Sequence, residues 1–229
     1  RSLLSLAPAY RRQRPDLVNV HTGCAPAWIA ARRAGAIGAK VVAMSYAAPD
    51  FSFRLREPRD VLRWTLGTLP LRATFKHLDG LWCANQQDVE LYVDTYGVPR
   101  ERIRRFGHPI ADEFFRVARE PARRPRKILF CGTWIPRKGV DVLAPALDRV
   151  VAEVGDVEIV LAGTLTGEDN VRASLSPAVS ARTRVLDRAT DAELSAEYVT
   201  SSLLLVPSRL EGLPISMLEA MACGCPPLA

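Results

Sequence analysis

No stretch of about 18 apolar residues occurs anywhere in the 229 residues, so no bilayer-spanning helix is expected. Cysteine is scarce. Its five copies (Cys24, Cys83, Cys131, Cys223 and Cys225) are odd in number and scattered through apolar segments. That excludes a disulfide framework and reads as reduced thiols in a cytoplasmic protein. Cys223-Gly224-Cys225 has no second Cys/His pair at zinc spacing, so no metal is expected. Zinc-finger, helix-turn-helix and aromatic–basic RNA motifs are missing, which leaves nucleic acid without support as a partner. No repeat at a solenoid period is visible. Arg1-Ser2-Leu3-Leu4-Ser5-Leu6 is too short for a signal peptide and lacks an initiating Met, and the chain stops at Pro226-Pro227-Leu228-Ala229 on the approach to a strand. Both ends read as cut.

What is present is a globular composition. Hydrophobic residues make up 48% and charged residues 24%, enough to bury a sizeable core. The net charge is +6, which favours phosphate-bearing substrates or an anionic membrane surface.

Short apolar runs alternate with helical patterns, the βαβ signature of parallel sheets. Strands are expected at Leu17–His21, Lys40–Ser45, Gly80–Ala84 and Arg102–Phe106. Helices are expected over Pro26–Ala34 and from the N-cap Asn85 to Tyr96. Residues 116–126 are polar and proline-broken and read as a linker. A second alternating set begins at Ile128. Its helix Val140–Val154 is expected to kink or break at Pro145, and Thr190-Asp191-Ala192-Glu193 has the form of a capping box. The domains are therefore 1–115 and 127–229. The fold class is α/β, with two parallel-sheet domains facing a cleft, both incomplete.

Two strand-to-helix loops of the second domain carry the candidate chemistry. In Cys131-Gly132-Thr133-Trp134-Ile135-Pro136-Arg137-Lys138-Gly139, glycines allow close approach of a ligand, and Arg137 and Lys138 put two cations at a helix start. A diphosphate suits such a loop, although the spacing is neither that of a P-loop nor that of a dinucleotide fingerprint. The second loop follows the strand Leu203–Val206. There Glu211 and Glu219 lie eight residues apart, and Pro214 suits the first helical turn. The N–H groups of Ile215 and Ser216 would form an anion site. Glu219 sits among apolar residues, where a carboxylate needs donors such as ligand hydroxyls. Read singly, Glu219 is a helix-face glutamate, and Arg137 and Lys138 are solvated loop charges.

Together these residues resemble the family 4 retaining glycosyltransferases of the GT-B fold, also called glycosyl transferases group 1. Glu211 and Glu219 match the family's E-x7-E motif, Lys138-Gly139-Val140-Asp141-Val142-Leu143 its K-G-x-D-x-L stretch, and Glu219-Ala220-Met221-Ala222-Cys223-Gly224-Cys225-Pro226 its usual continuation. The resemblance implies two Rossmann-like domains and metal-independent transfer of a hexosyl group from a nucleotide-sugar, without a cofactor, to a saccharide, lipid or small-molecule acceptor. Glu219 would accept from the ribose hydroxyls. Glu211, with Gly212, Leu213, Pro214 and Ile215, would contact hexose and phosphates. Lys138 would stabilise the leaving diphosphate, with Gly132 and Arg137 beside it. Thr133 and Tyr46 depart from the family's usual arginine and histidine. A nucleotide-sugar epimerase of similar fold and a binding-only relative are the alternatives.

His21, at a strand end, is a candidate donor or acceptor contact. The segment 51–71 mixes aromatic and aliphatic residues with arginines. It reads either as a core-facing helix with a basic outer face or as a peripheral contact with the inner membrane face.

Overall fold

The computed structural model describes residues 6–21, 25–45, 75, 78–116, 126–209 and 211–229. Two compact units divide the chain, Arg1–His108 and Pro109–Ala229.

In the first unit, α1 (Leu6–Gln13), β1 (Leu17–His21), α2 (Ala25–Gly35), β2 (Lys40–Ser45), β3 (Gly80–Cys83), α3 (Gln86–Asp94) and β4 (Ile103–Arg105) follow in order. The strands pair in parallel as β1-β2-β3-β4. One face of the sheet is dry. Val41, Ala43, Leu81 and Cys83 are all buried, as period-two alternation requires. Tyr92 crosses this core and donates its hydroxyl to Ser45 Oγ at 2.8 Å, so both buried polar groups are paired. Asn85 caps α3 by accepting from the Asp88 N–H at 2.7 Å.

The second unit begins earlier than the sequence predicts. A boundary at residue 115 would leave α4 (Glu113–Arg116) with the first domain, yet Phe114 is only 1% exposed and sits in the second unit's core, its ring 6.0 Å from that of Tyr198. The proline-broken stretch hides this, because Phe114 precedes it and has an apolar ring that must be buried somewhere. Residues 117–125 of the expected linker lie outside the described set.

The remaining elements are β5 (Lys127–Cys131), α5 (Val140–Val154), β6 (Glu158–Ala162), α6 (Glu168–Ala173), α7 (Pro177–Ser180), β7 (Thr183–Leu186), α8 (Asp191–Thr200), β8 (Leu203–Leu205), α9 (Ile215–Ala222) and β9 (Pro227–Leu228). The expected break at Pro145 does not occur: α5 is one helix from Val140 to Val154. Pro145 lies in its second turn, so the ring removes a single internal hydrogen bond near the helix start, and the buried Leu143 and Leu147 hold the helix down. Thr190 and Glu193 form the reciprocal capping box on α8.

All five strands are parallel, in the order β7-β6-β5-β8-β9. The chain winds outward from β5 to β7, then returns to the other side of β5 as β8. The strand order therefore reverses between β5 and β8. In doubly wound sheets, ligands bind outside the carboxyl ends of the strands at that point. The loops leaving β5 and β8 are the two singled out by sequence.

Candidate functional site at the ends of β5 and β8

The loop after β5 is clamped from below. Gly132 N–H bonds the Ala162 carbonyl at 2.9 Å and Trp134 N–H that of Thr164 at 2.8 Å. The Trp134 indole packs edge-on against Phe130 with centroids 5.6 Å apart and donates to Ser174 Oγ at 2.9 Å. Over this base the Lys138 stem lies along Gly132, whose missing Cβ would stand 3.6 Å from Lys138 Cε. A turn of 3-10 helix, Pro136–Lys138, ends at Gly139 with φ +74°. A Cβ at Gly139 would come within 2.7 Å of the Pro207 carbonyl carbon. The two loops thus touch main chain to main chain.

Arg209 stitches them further. Its N–H bonds the Arg137 carbonyl at 3.0 Å, its guanidinium donates to the Pro136 carbonyl at 3.2 Å, and it pairs with Asp141 in the first turn of α5. The result brings the sequence-predicted residues together. Lys138 Nζ forms an ion pair with Glu211 Oε1, both side chains largely buried, and Arg137 Nη1 stands 3.8 Å from Glu211 Oε2. Gly212 and Leu213 form the turn that follows, half-buried.

Pro214 is the N-cap of α9 rather than part of its first turn. Its carbonyl accepts from Met217 N–H at 3.1 Å, which leaves the N–H groups of Ile215 and Ser216 without an intrahelical acceptor. One turn on, Glu219 Oε2 accepts from the Tyr198 hydroxyl at 3.1 Å. Burial raises the Glu219 carboxyl above its usual range, the Tyr198 bond partly offsets this, and the charge of Asp191 adds to the rise. A half-buried carboxylate with one donor has acceptor capacity to spare.

Sequence reasoning misses Tyr198, Arg209 and Asp187. Asp187, just past β7, accepts from Thr164 Oγ1 at 2.8 Å and from the N–H groups of Thr166 and Gly167 at 3.0 and 2.8 Å. These bonds, that from Thr164 first, hold its carboxyl below the usual range. It fixes the neighbouring loop after β6, where Leu165 takes the left-handed φ of +55°. Thr133 brings no charge; its carbonyl accepts from Ile135 N–H at 2.9 Å. His21 is the last residue of β1, in register with Met44; its side chain, Tyr46, Cys24 and the segment 51–71 lie outside the described set. Among the described residues no three metal-ligating side chains converge, and no helix is long and apolar enough to cross a membrane.

Residues 125–229 match the family described as Glycosyl transferases group 1. That segment resembles a glycosyltransferase group 1 domain. Among curated proteins, 102 residues are 31% identical to a GDP-mannose-dependent monoacylated alpha-(1-6)-phosphatidylinositol monomannoside mannosyltransferase of Corynebacterium glutamicum, a match over 42% of this chain and 26% of that protein. The chain thus spans about a quarter of that relative's length. Among solved structures, that of Anabaena HepE in complex with UDP superposes with a TM-score of 0.71 at 13% identity, covering 99% of this chain and 62% of the other. A UDP-N-acetylglucosamine 2-epimerase structure from Listeria monocytogenes does so with a TM-score of 0.59 at 15% identity, covering 98% and 60%. The shared fold is that of GT-B proteins, two α/β units with parallel sheets, and at such identities the likeness speaks of fold alone.

Proposed function

We propose that the chain catalyses transfer of a hexosyl group from a nucleotide-sugar to an acceptor, with retention at the anomeric carbon. The observation that carries this reading is the Lys138–Glu211 pair, held at the switch point between β5 and β8 by loops in backbone contact. Lys138, with Arg137 beside it and the open N–H groups of α9 below, would meet the donor diphosphate. As the bond from the anomeric carbon to the diphosphate oxygen breaks, the electron pair goes to that oxygen. The acceptor hydroxyl oxygen bonds the anomeric carbon on the same face, and its proton passes to the departing diphosphate. Fixed cations and helix-terminal N–H groups stabilise the charge where it develops. Glu211 and the backbone from Gly212 to Ile215 would contact hexose and phosphates, with Gly132 providing a wall without a side chain. Glu219 would accept from the ribose hydroxyls.

No cofactor or metal enters this chemistry. The acceptor is a saccharide, lipid or small molecule. Its place of action is the cytoplasm, in part at the inner membrane face through the segment 51–71.

Binding without turnover is the second reading, favoured by Thr133, which adds no cation beside Lys138. An epimerase of the same fold is the third. Incubation with UDP-, GDP- and ADP-sugars separates them. Release of nucleoside diphosphate with the sugar on an acceptor or water supports transfer, a free epimerised sugar supports epimerisation, and binding alone supports the second reading. Glu211→Ala is expected to abolish turnover and leave nucleotide binding; unchanged turnover overturns the assigned role.

A further inference from the structure

The first unit carries a basic cavity with no part in the chemistry above. Its volume is about 720 Å³, within the range of small-molecule sites, and Arg11, Arg14, Asp16, Gly38 and Lys40 line it. It lies between the C-terminal end of α1 and the turn joining α2 to β2, at the amino ends of β1 and β2. The two walls are tied together where Lys40 N–H bonds the Asp16 carbonyl at 2.8 Å.

The charged residues that line it are exposed, and three features shape the cavity. Arg14 has φ +42°, a left-handed conformation that suits glycine and costs an arginine energy. Its N–H closes α1 on the Tyr10 carbonyl at 2.8 Å, the C-terminal position where glycine is usual. The chain thus places a long cation where a smaller residue would fit with less strain. On the facing wall, Gly38 has φ +81°, and a Cβ there would meet nothing within 4 Å, so the backbone opens directly onto the cavity. The exposed Lys40 side chain pairs with Asp79 at 2.8 Å, and the other Asp79 oxygen accepts from Val41 N–H at 2.9 Å. The guanidinium groups of Arg11 and Arg14 have neither a hydrogen bond nor an ion pair among the described residues. Asp16 is the one carboxylate lining the cavity against these three cations.

We infer that this cavity binds a phosphate ester, with Arg11 and Arg14 as its ligands, Lys40 at its rim and the organic part along Ile37 and Gly38. Planar guanidinium groups match phosphate oxygens in pairs, which is the recognition a phosphomonoester or a phosphodiester headgroup requires.

The test uses the whole 229-residue chain. Calorimetric titration with sn-glycerol 3-phosphate is expected to give saturable binding that survives Lys138→Ala, which disables the phosphate contact of the second unit. The Arg11→Glu and Arg14→Gly variants are expected to weaken it at least about tenfold each, the loss of a charge-assisted bond. Arg14→Gly is also expected to raise the melting temperature, since glycine accepts φ +42° without strain, so lost binding cannot be ascribed to misfolding. Cosedimentation with phosphatidylcholine vesicles containing phosphatidylglycerol, absent from pure phosphatidylcholine and lost in the same two variants, would assign the phosphate to a lipid headgroup. Titration by the soluble ester alone would assign it to a free metabolite. Failure of both probes, binding indifferent to Arg11→Glu and Arg14→Gly, or binding that disappears with Lys138→Ala overturns the inference.

Discussion

Tyr198 donates its hydroxyl hydrogen to Oε2 of Glu219 across 3.1 Å, from the second half of α8 to the second turn of α9. The ring is fully buried, so the carboxylate is aimed by a side chain that cannot itself swing away. Tyr198→Phe keeps the ring and removes the donor. A loss of about 1 kcal/mol in unfolding free energy is expected by urea denaturation, with nucleoside diphosphate binding weakened because Glu219 is no longer held in place. Wild-type affinity in this variant would count against Tyr198 as a positioning residue.

Glu219 itself should oppose stability at neutral pH. Its carboxyl is raised in the folded state, chiefly by burial, so the folded chain binds more protons than the unfolded one. The group's contribution is most favourable below the ordinary glutamate value of 4.5 and is lost as pH rises through the raised value. Glu219→Gln is therefore expected to raise the urea midpoint at pH 7, with the gain shrinking toward pH 4, and to bind nucleotide at least about tenfold more weakly through loss of a charged acceptor. A variant both less stable at pH 7 and unimpaired in binding would contradict this.

Glu197 has the opposite sign. Burial pushes its carboxyl up, but hydrogen bonds from Lys127 and Arg184 outweigh this and bring it below the usual value. Its stabilisation is present above the ordinary carboxylate range and disappears as pH falls through the lowered value. Lys127 is almost fully buried, with Nζ 2.8 Å from Glu197 Oε2. Lys127→Ala is expected to cost about 3 kcal/mol, the lower end for stripping one partner from a buried pair, because Arg184 remains at 2.6 Å. Replacing both members with apolar residues should recover most of it. Equilibrium unfolding of the two variants beside the unaltered chain reads out the difference.

Gly139→Ala places a methyl group against the Pro207 carbonyl at φ +74°. A loss of about 2 kcal/mol is expected from backbone strain, and turnover should fall further than stability, since the clash parts Lys138 from Glu211. Full activity would show that the backbone contact is dispensable.

The sequence made local features legible and long-range ones not. The capping box of Thr190 and Glu193 and the cap at Asn85 depend on neighbours within one turn, and both are found in the structure. The loops at Lys138 and Glu211 are recognisable because their residue types and spacing resemble a known pattern. Their pairing, across 73 positions, comes from the reversal of strand order at β5, which no local signal encodes. Arg209 reads as one more solvated loop arginine until its backbone and side-chain bonds to the other loop are seen. Tyr198 looks like any apolar-face residue of α8. Pro145 misleads in the other direction: proline chemistry argues for a break, and packing of Leu143 and Leu147 prevails.

The contact between Gly139 and Pro207 has a practical bearing on altering this protein. With no side chain between them, the two loops share one set of coordinates. An insertion or deletion in either displaces Lys138 and Glu211 together, so loops exchanged from relatives should be moved as a pair, each with its own partner.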